Sequence, residues 1–365
     1  MIDLNIVFGF ALAYLFTFAI VPIIRVLAYK IDAVDVPRDK RRMHKRPIPR
    51  MGGLAIFFGF LLSVICFSKA IDEKILAILA GSLIIVITGI LDDKYQLKPI
   101  VKLAGQVLAA VIVIAFDVKI EFLTNPFYFG VGKSTIDLHY LAYPVTFVWI
   151  LVMTNAVNLI DGLDGLATSI SAISALALAF IAIVMENPNI AIMFVAVAGA
   201  CFGFLPYNHH PAKIFLGDTG ALFLGFILAT LSVEGMFKSF GILTYIVPVI
   251  ILGLPIFDTS FAIIRRLCKG QGIMTADRGH LHHRLIDKGF SHRETVTMLT
   301  TASAMLSITA IVLATRGVNR TLALVIALVG FLFGLKYYYK DKNIDKEYLQ
   351  HLEEISDESE ENTNE

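Results

Sequence analysis

Five polar clusters interrupt an otherwise apolar chain, and their side chains are of the kinds that handle phosphate. Asp92 and Asp93 end an apolar run in the string GILDDKYQLKP. Paired carboxylates suit a general base or a divalent-cation site, and a shared proton would raise the affinity of one of them for it. In TNAVNLIDGLDGLAT, residues 154–168, Asn155, Asn158 and Asp161 recur every third residue and so share roughly one helix face. Asp164 follows in DGLDGL, where Gly162 and Gly165 let backbone come close to a ligand. Two amides and two carboxylates within ten residues are oxygen donors of the type Mg²⁺ takes. Interhelical hydrogen bonding would account for one asparagine, not for four polar groups in register.

The third cluster is KIFLGDTGALFLG, residues 213–225, with Asp218 at the mouth of an apolar run. Asp218 reads either as a functional carboxylate or as a helix N-cap, and Phe215 as core or as a surface for a base. The fourth, ADRGHLHHRLIDKG at 276–289, packs Asp277, Arg278, His280, His282, His283 and Arg284 into one loop. It lacks a cysteine or an obvious fourth ligand for zinc and suits bidentate phosphate recognition better. The fifth is DVPRDKRRMHKRPIPRMGG, residues 35–53. Its basic residues read first as anchors for anionic headgroups, worth about 1 kcal/mol each, with Arg38, His44 and Arg50 as further phosphate contacts. Pro47-Ile48-Pro49 reads as a turn leading into the next span. Gly132-Lys133-Ser134 only imitates a phosphate loop, because Phe127 stands where the pattern requires glycine.

These clusters need a scaffold, and the composition names its medium. Of 365 residues 57% are hydrophobic and 17% charged, with a mean hydropathy of +0.74. A soluble domain carries about a quarter charged residues, so the apolar surface must face a bilayer. A span takes about 20 apolar residues, and eleven runs qualify, near 4–24, 52–68, 75–91, 101–116, 141–160, 166–185, 190–206, 220–233, 240–257, 296–314 and 321–338. Several are short, which predicts tilted or interrupted helices. The first is too long for a signal-peptide core and is expected to remain as a span. Of the 31 Lys and Arg, 24 fall on the side of segment 25–51. The positive-inside rule then puts the N-terminus outside and the C-terminus in the cytoplasm. All five clusters lie on that cytoplasmic side. The reading is an all-α polytopic membrane protein with a small extracytoplasmic β-hairpin within 117–137. Residues 1–340 form one integral-membrane catalytic domain, and 341–365, with ten acidic residues against two lysines, a disordered cytoplasmic tail. Cys66, Cys201 and Cys268 read as packing residues.

An aspartate at the centre of a span costs roughly 2.5–3.5 kcal/mol, so carboxylates at the ends of apolar runs imply function. Cation-binding oxygens, a candidate base and a phosphate-binding loop on one face predict phosphoryl transfer at the bilayer surface between a lipid and a cytosolic phosphate ester. In that order, LDDKYQLKP, NAVNLIDGLDGLA, FLGDTGA and DRGHLHHRL resemble the signatures of the polyprenyl-phosphate N-acetylhexosamine-1-phosphate transferase family, over about residues 35–290. The resemblance implies transfer of a sugar 1-phosphate from a UDP-sugar to undecaprenyl phosphate with release of UMP, and a need for Mg²⁺, with Mn²⁺ as a substitute. It implies Asp218 and Asn158 beside the metal, and Asp92 or Asp93 acting on the lipid phosphate. It assigns Asn155, Asp161, Asp164 and Phe215 to the nucleotide, and Arg278, His280, His282, His283, Arg284 and Lys98 to phosphate. RPIPRMGG and HLHHR are more similar to the branch that uses UDP-GlcNAc, which starts teichoic acid or O-antigen-type polymers, than to the branch that uses UDP-MurNAc-pentapeptide. The expected setting is the bacterial plasma membrane, with no nucleic-acid partner and a homodimer left open. Other readings are the MurNAc-pentapeptide transferase and an ion-coupled secondary transporter. A CDP-alcohol phosphotransferase would need an Arg soon after the first Asp-Gly, where this chain has Leu166-Ala167-Thr168.

Overall fold

Helix starts and stops are written in the chain. Asp72 accepts from the Ile75 N–H at 2.8 Å and so opens a helix at Glu73, and Asn187 does the same for the Ile190 N–H, with Pro188 in the first helical position. The computed structural model describes residues 3–36, 47–124, 135–235, 246–270, 272, 279–316 and 325. Its helices are α1 (Leu4–Lys30), α2 (Gly52–Phe67), α3 (Glu73–Tyr95), α4 (Pro99–Ala115), α5 (Ala142–Ile160), α6 (Leu166–Val184), α7 (Pro188–Asn208), α8 (Gly217–Gly235), α9 (Ile246–Ile251), α10 (Gly253–Cys268), α11 (Leu281–Asp287) and α12 (His292–Arg316). Seven of these are long and apolar enough to cross a membrane, and α2 and α4 are shorter apolar helices. The protein is a polytopic, mostly helical membrane protein.

The first eight predicted spans fall on α1 to α8 and the tenth on α12. The ninth is described from residue 246 onward, where the chain breaks at Leu252 between α9 and α10, with Pro255 in the first turn of α10. On α10, Phe257, Phe261, Ile264 and Leu267 are exposed at helical spacing, while Asp258, Ala262 and Arg266 are buried. The eleventh predicted span and the acidic tail lie outside the described residues. Contacts divide the chain at Thr315, so everything described below belongs to the unit Met1–Thr315.

The bundle is layered around α7 and α8. α1 packs on α2 and α7, α6 on α7, and both α3 and α5 on α8. The apolar window of α8 is 83% buried and that of α1 28%, so α8 is the central pillar and α1 faces lipid. Hydroxyls tie α1 to α2, with Ser63 Oγ donating to the Gly9 carbonyl at 2.7 Å. Two short antiparallel ribbons complete the fold. β1 (Val34–Asp35) pairs with β2 (Ile48–Pro49), where the sequence suggests only a turn. β3 (Phe122–Thr124) pairs with β4 (Thr135–Asp137), Phe122 opposite Asp137, and the residues between them, Gly132-Lys133-Ser134 included, lie outside the described residues.

Candidate active site

The site is assembled at the start of α8. The segment before it is clamped in extended form: the Phe215 N–H donates to the Pro49 carbonyl, and the Gly52 and Gly53 N–H groups donate to the carbonyls of Phe215 and Leu216, all at 2.9 Å. The chain then turns at Gly217, whose φ of +72° is left-handed. A Cβ there would lie 2.5 Å from an Asp93 carboxylate oxygen, so only glycine fits. Asp93 fills that space from α3. It accepts from the Asp218 N–H at 2.9 Å, the Thr219 N–H at 3.1 Å and the Thr219 hydroxyl at 2.6 Å. The N-cap of α8 is thus supplied across the helix interface by Asp93, and the Asp218 side chain is left for other work.

Asp218 turns instead to α4 and α5. Its Oδ1 accepts from Lys102 Nζ at 2.8 Å and from Asn158 Nδ2 at 2.6 Å. The same Lys102 ammonium lies 2.5 Å from Asp92 Oδ2, and Asp92 Oδ1 accepts from the Leu97 N–H at 2.8 Å. Two carboxylates from separate helices therefore converge on one cation, with an amide alongside. Lys98, the phosphate-binding candidate of the sequence reading, is exposed at the N-cap of α4. Lys102, one turn further on, is the lysine that reaches the carboxylates. Gln106, another turn along, pairs with Asn155: Asn155 Nδ2 donates to Gln106 Oε1 at 2.6 Å, and the reverse contact is 3.3 Å. Asn155 thereby serves the α4–α5 packing.

The loop after α5 carries Asp161 and Asp164, and the two are used differently. Asp161 is half-buried; its N–H donates to the Asn158 carbonyl at 3.3 Å, and its carboxylate has no hydrogen-bond partner among the described residues. Burial first, then the charges of Asp218, Asp93 and Asp164, hold its pKa well above the usual carboxylate range, against the pull of Arg50. Arg50 itself pairs with Asp35 at 3.2 Å. Asp164 is a strut. Its Oδ2 accepts from His210 Nδ1 at 2.8 Å and the Ala212 N–H at 3.1 Å, and its own N–H donates to His292 Nε2 at 3.1 Å. Asp164, His210 and His292 also bring ligand atoms within 4.8 Å of one another. Buried Asn208 ties down the end of the loop, accepting from the Gly165 N–H and the Thr168 hydroxyl and donating to the Ile214 carbonyl.

The histidine run joins the site through Gly162. His282 is 2% exposed, and a Cβ on Gly162 would fall 2.1 Å from its Nε2. Burial, then His283, pushes its pKa down to about 4, so the ring is neutral at pH 7. His280 is buried and His283 half-buried, Arg284 is exposed, and Arg278 lies outside the described residues. Phe215 is half-buried beside Gly217. Lys102, Asn208, His210, Asp258 and His292 are site residues absent from the sequence reading.

A family model described as glycosyl transferase family 4 matches residues 75–236, the stretch that holds Asp92, Asn158, Asp161 and Asp218. A probable undecaprenyl-phosphate N-acetylglucosaminyl 1-phosphate transferase of Bacillus subtilis (strain 168) is 42% identical, over 90% of this chain and 90% of its own. The chain belongs to glycosyl transferase family 4. Within that family it is also similar to a decaprenyl-phosphate N-acetylglucosaminephosphotransferase of Mycobacterium leprae (strain TN), 33% identical over 79% of this chain and 78% of the relative. A phospho-N-acetylmuramoyl-pentapeptide-transferase of Caldicellulosiruptor bescii is 33% identical over 62% of this chain and 73% of its own. Membership makes the protein a transferase and leaves the transporter reading without support.

Proposed function

We propose that the protein transfers N-acetylglucosamine 1-phosphate from UDP-N-acetylglucosamine to undecaprenyl phosphate, as the first membrane step of a cell-envelope polysaccharide of teichoic acid or O-antigen type. The observation that carries this reading is the convergence of Asp92 and Asp218 on Lys102, with the Asn158 amide on Asp218, where four apolar helices end or begin. The names and coverage of the relatives favour the N-acetylglucosamine donor over the MurNAc-pentapeptide one. The distribution of Lys and Arg favours a cytoplasmic face for the site.

An oxygen of the lipid phosphate attacks the β-phosphorus of the donor. The bond from that phosphorus to the bridging oxygen breaks, and that oxygen leaves with UMP. Asp93 is occupied in capping α8, so Asp92 is the carboxylate that takes the proton of the lipid phosphate or orients it. Lys102 neutralises the carboxylates and attracts phosphate to the same spot. Asp92, Asp218 and Asn158 offer the hard oxygen atoms that suit Mg²⁺, with Mn²⁺ fitting the same set, and Asp161 adds a further carboxylate. When bound, the ion supplies charge neutralisation at the diphosphate. Phe215 offers its ring to the uracil beside Asp161, and His280, His283 and Arg284 meet the phosphates.

The test is purified protein in detergent with undecaprenyl phosphate, Mg²⁺ and radiolabelled UDP-N-acetylglucosamine, with UDP-MurNAc-pentapeptide in parallel. Label in the lipid phase from the first donor alone, lost with EDTA and restored by Mg²⁺, is the expected result. Label only from the pentapeptide donor, or from neither with folded protein, overturns the reading.

A further inference from the structure

Asp258 lies on α10, outside every motif that marks the site, yet its side chain is 4% exposed. A carboxylate buried that deeply needs compensation, and its two oxygens go to consecutive residues of the histidine run. Oδ2 accepts from His280 Nδ1 at 2.9 Å, and Oδ1 accepts from the Leu281 N–H at 2.8 Å. The first contact places the proton of the His280 ring on Nδ1. Nε2, which has no partner among the described residues, is then the ring atom left to meet a ligand. The second caps the first N–H of α11, a helix of seven residues, too short to hold itself in place.

The consequences run toward the reaction. His282 is two residues beyond His280, with the two rings 5.9 Å apart and nearly parallel. His282 is seated on Gly162, the residue after Asp161. Where Asp258 holds α11 therefore fixes both the direction of the His280 imidazole and the spacing between the histidine run and the Asp161 loop. We propose that Asp258 is a positioning residue that orients His280 toward a phosphate oxygen of the UDP-sugar; this rests on the reaction proposed above. Asp258 touches neither substrate. Its effect passes through His280, as the effect of a carboxylate behind a catalytic or ligating imidazole does, where removal typically costs 10–100-fold.

The experiment compares Asp258→Asn, His280→Ala and the double variant with the wild type by lipid-phase label transfer, varying donor and acceptor separately, with thermal unfolding as the check on folding. The expected result is a 10–100-fold fall in kcat/KM for UDP-N-acetylglucosamine in each single variant, with the undecaprenyl phosphate KM within twofold. The double variant should be no more than about twofold worse than His280→Ala, because the two residues act in series. Asp258→Glu, which keeps the carboxylate, should recover part of the loss. If Asp258→Asn cannot be purified folded, Asp258→Glu and His280→Ala carry the same donor-against-acceptor comparison. Losses that multiply in the double variant, equal losses for donor and acceptor, or wild-type kinetics in Asp258→Asn overturn the assignment. An inactive, folded wild type would instead refute the reaction itself, which keeps the two failures apart.

Discussion

Gly89 is the point at which a single methyl group should move the site without touching a substrate. It lies on α3 about one turn before Asp92, against the first turn of α8. A Cβ built on Gly89 would lie 2.4 Å from Thr219 Cα, 2.6 Å from Thr219 N and 2.9 Å from Asp218 C. All three are backbone atoms and cannot rotate away. Ordinary contact begins near 3.4 Å, so the two helices must part by about 1 Å. The hydrogen bonds from the Asp218 and Thr219 N–H groups to Asp93, now 2.9 and 3.1 Å, would then open to about 4 Å and be lost. Asp218 would move with them, away from Asp92 and Lys102. A 1 Å misplacement of reacting groups costs on the order of 100-fold in rate, and overpacking costs about 1–3 kcal/mol of stability. Alanine is the better helix former, so helix propensity would work in the opposite direction. The assay is lipid-phase label transfer by Gly89→Ala, with thermal unfolding in the same detergent. Gly9→Ala is the control, because its Cβ would meet its nearest neighbour, Ser63 Oγ, at an ordinary 3.4 Å. Turnover within twofold of wild type in Gly89→Ala would refute the reasoning.

Two further perturbations test the electrostatics. Lys102→Met leaves Asp92 and Asp218 facing each other without their cation, and removing one partner of a buried ion pair costs about 3–5 kcal/mol. The variant should unfold at a lower temperature than wild type in EDTA, and Mg²⁺ should narrow the gap; equal Mg²⁺ stabilisation of both proteins would argue against a cation site at these carboxylates. His282 titrates near 4 in the folded protein against 6.5 for its ordinary value. Between those values the unfolded chain binds the extra proton, so this contribution to stability is complete above pH 6.5 and is lost as pH falls toward 4. Thermal unfolding should show about 2 kcal/mol of destabilisation between pH 7 and pH 5, at 1.36 kcal/mol per unit, and a flatter profile in His282→Gln.

Much of this was legible in the chain, for a physical reason. A bilayer forces every crossing segment to be apolar and helical, so the runs at 4–24 to 220–233 land on α1 to α8. The same cost makes carboxylates at helix ends conspicuous, which is why Asp92, Asp93, Asp161, Asp164 and Asp218 stood out. What the sequence could not show was the division of labour among them. Whether Asp93 caps α8 or faces substrate depends on the contact between α3 and α8. Whether Asp164 is a ligand or a strut depends on His210 and His292, 46 and 128 residues away. Lys102 had a usable signal: Lys98, Lys102 and Gln106 recur every fourth residue and predict one polar face on α4. Asp258 had one as well, as a lone carboxylate in the apolar string LPIFDTSFAII. The break at Leu252 was signalled by Pro248, Gly253 and Pro255, which a count of apolar residues passes over.

In the proposed reaction a sugar 1-phosphate, not the sugar alone, passes to the lipid phosphate. The most direct measurement uses UDP-N-acetylglucosamine carrying ³²P at the β-phosphorus, with purified protein, undecaprenyl phosphate and Mg²⁺. The ³²P is expected to enter the lipid phase in step with UMP release. Aqueous ³²P in the presence of sugar-labelled lipid, or UDP as the released nucleotide, would contradict it.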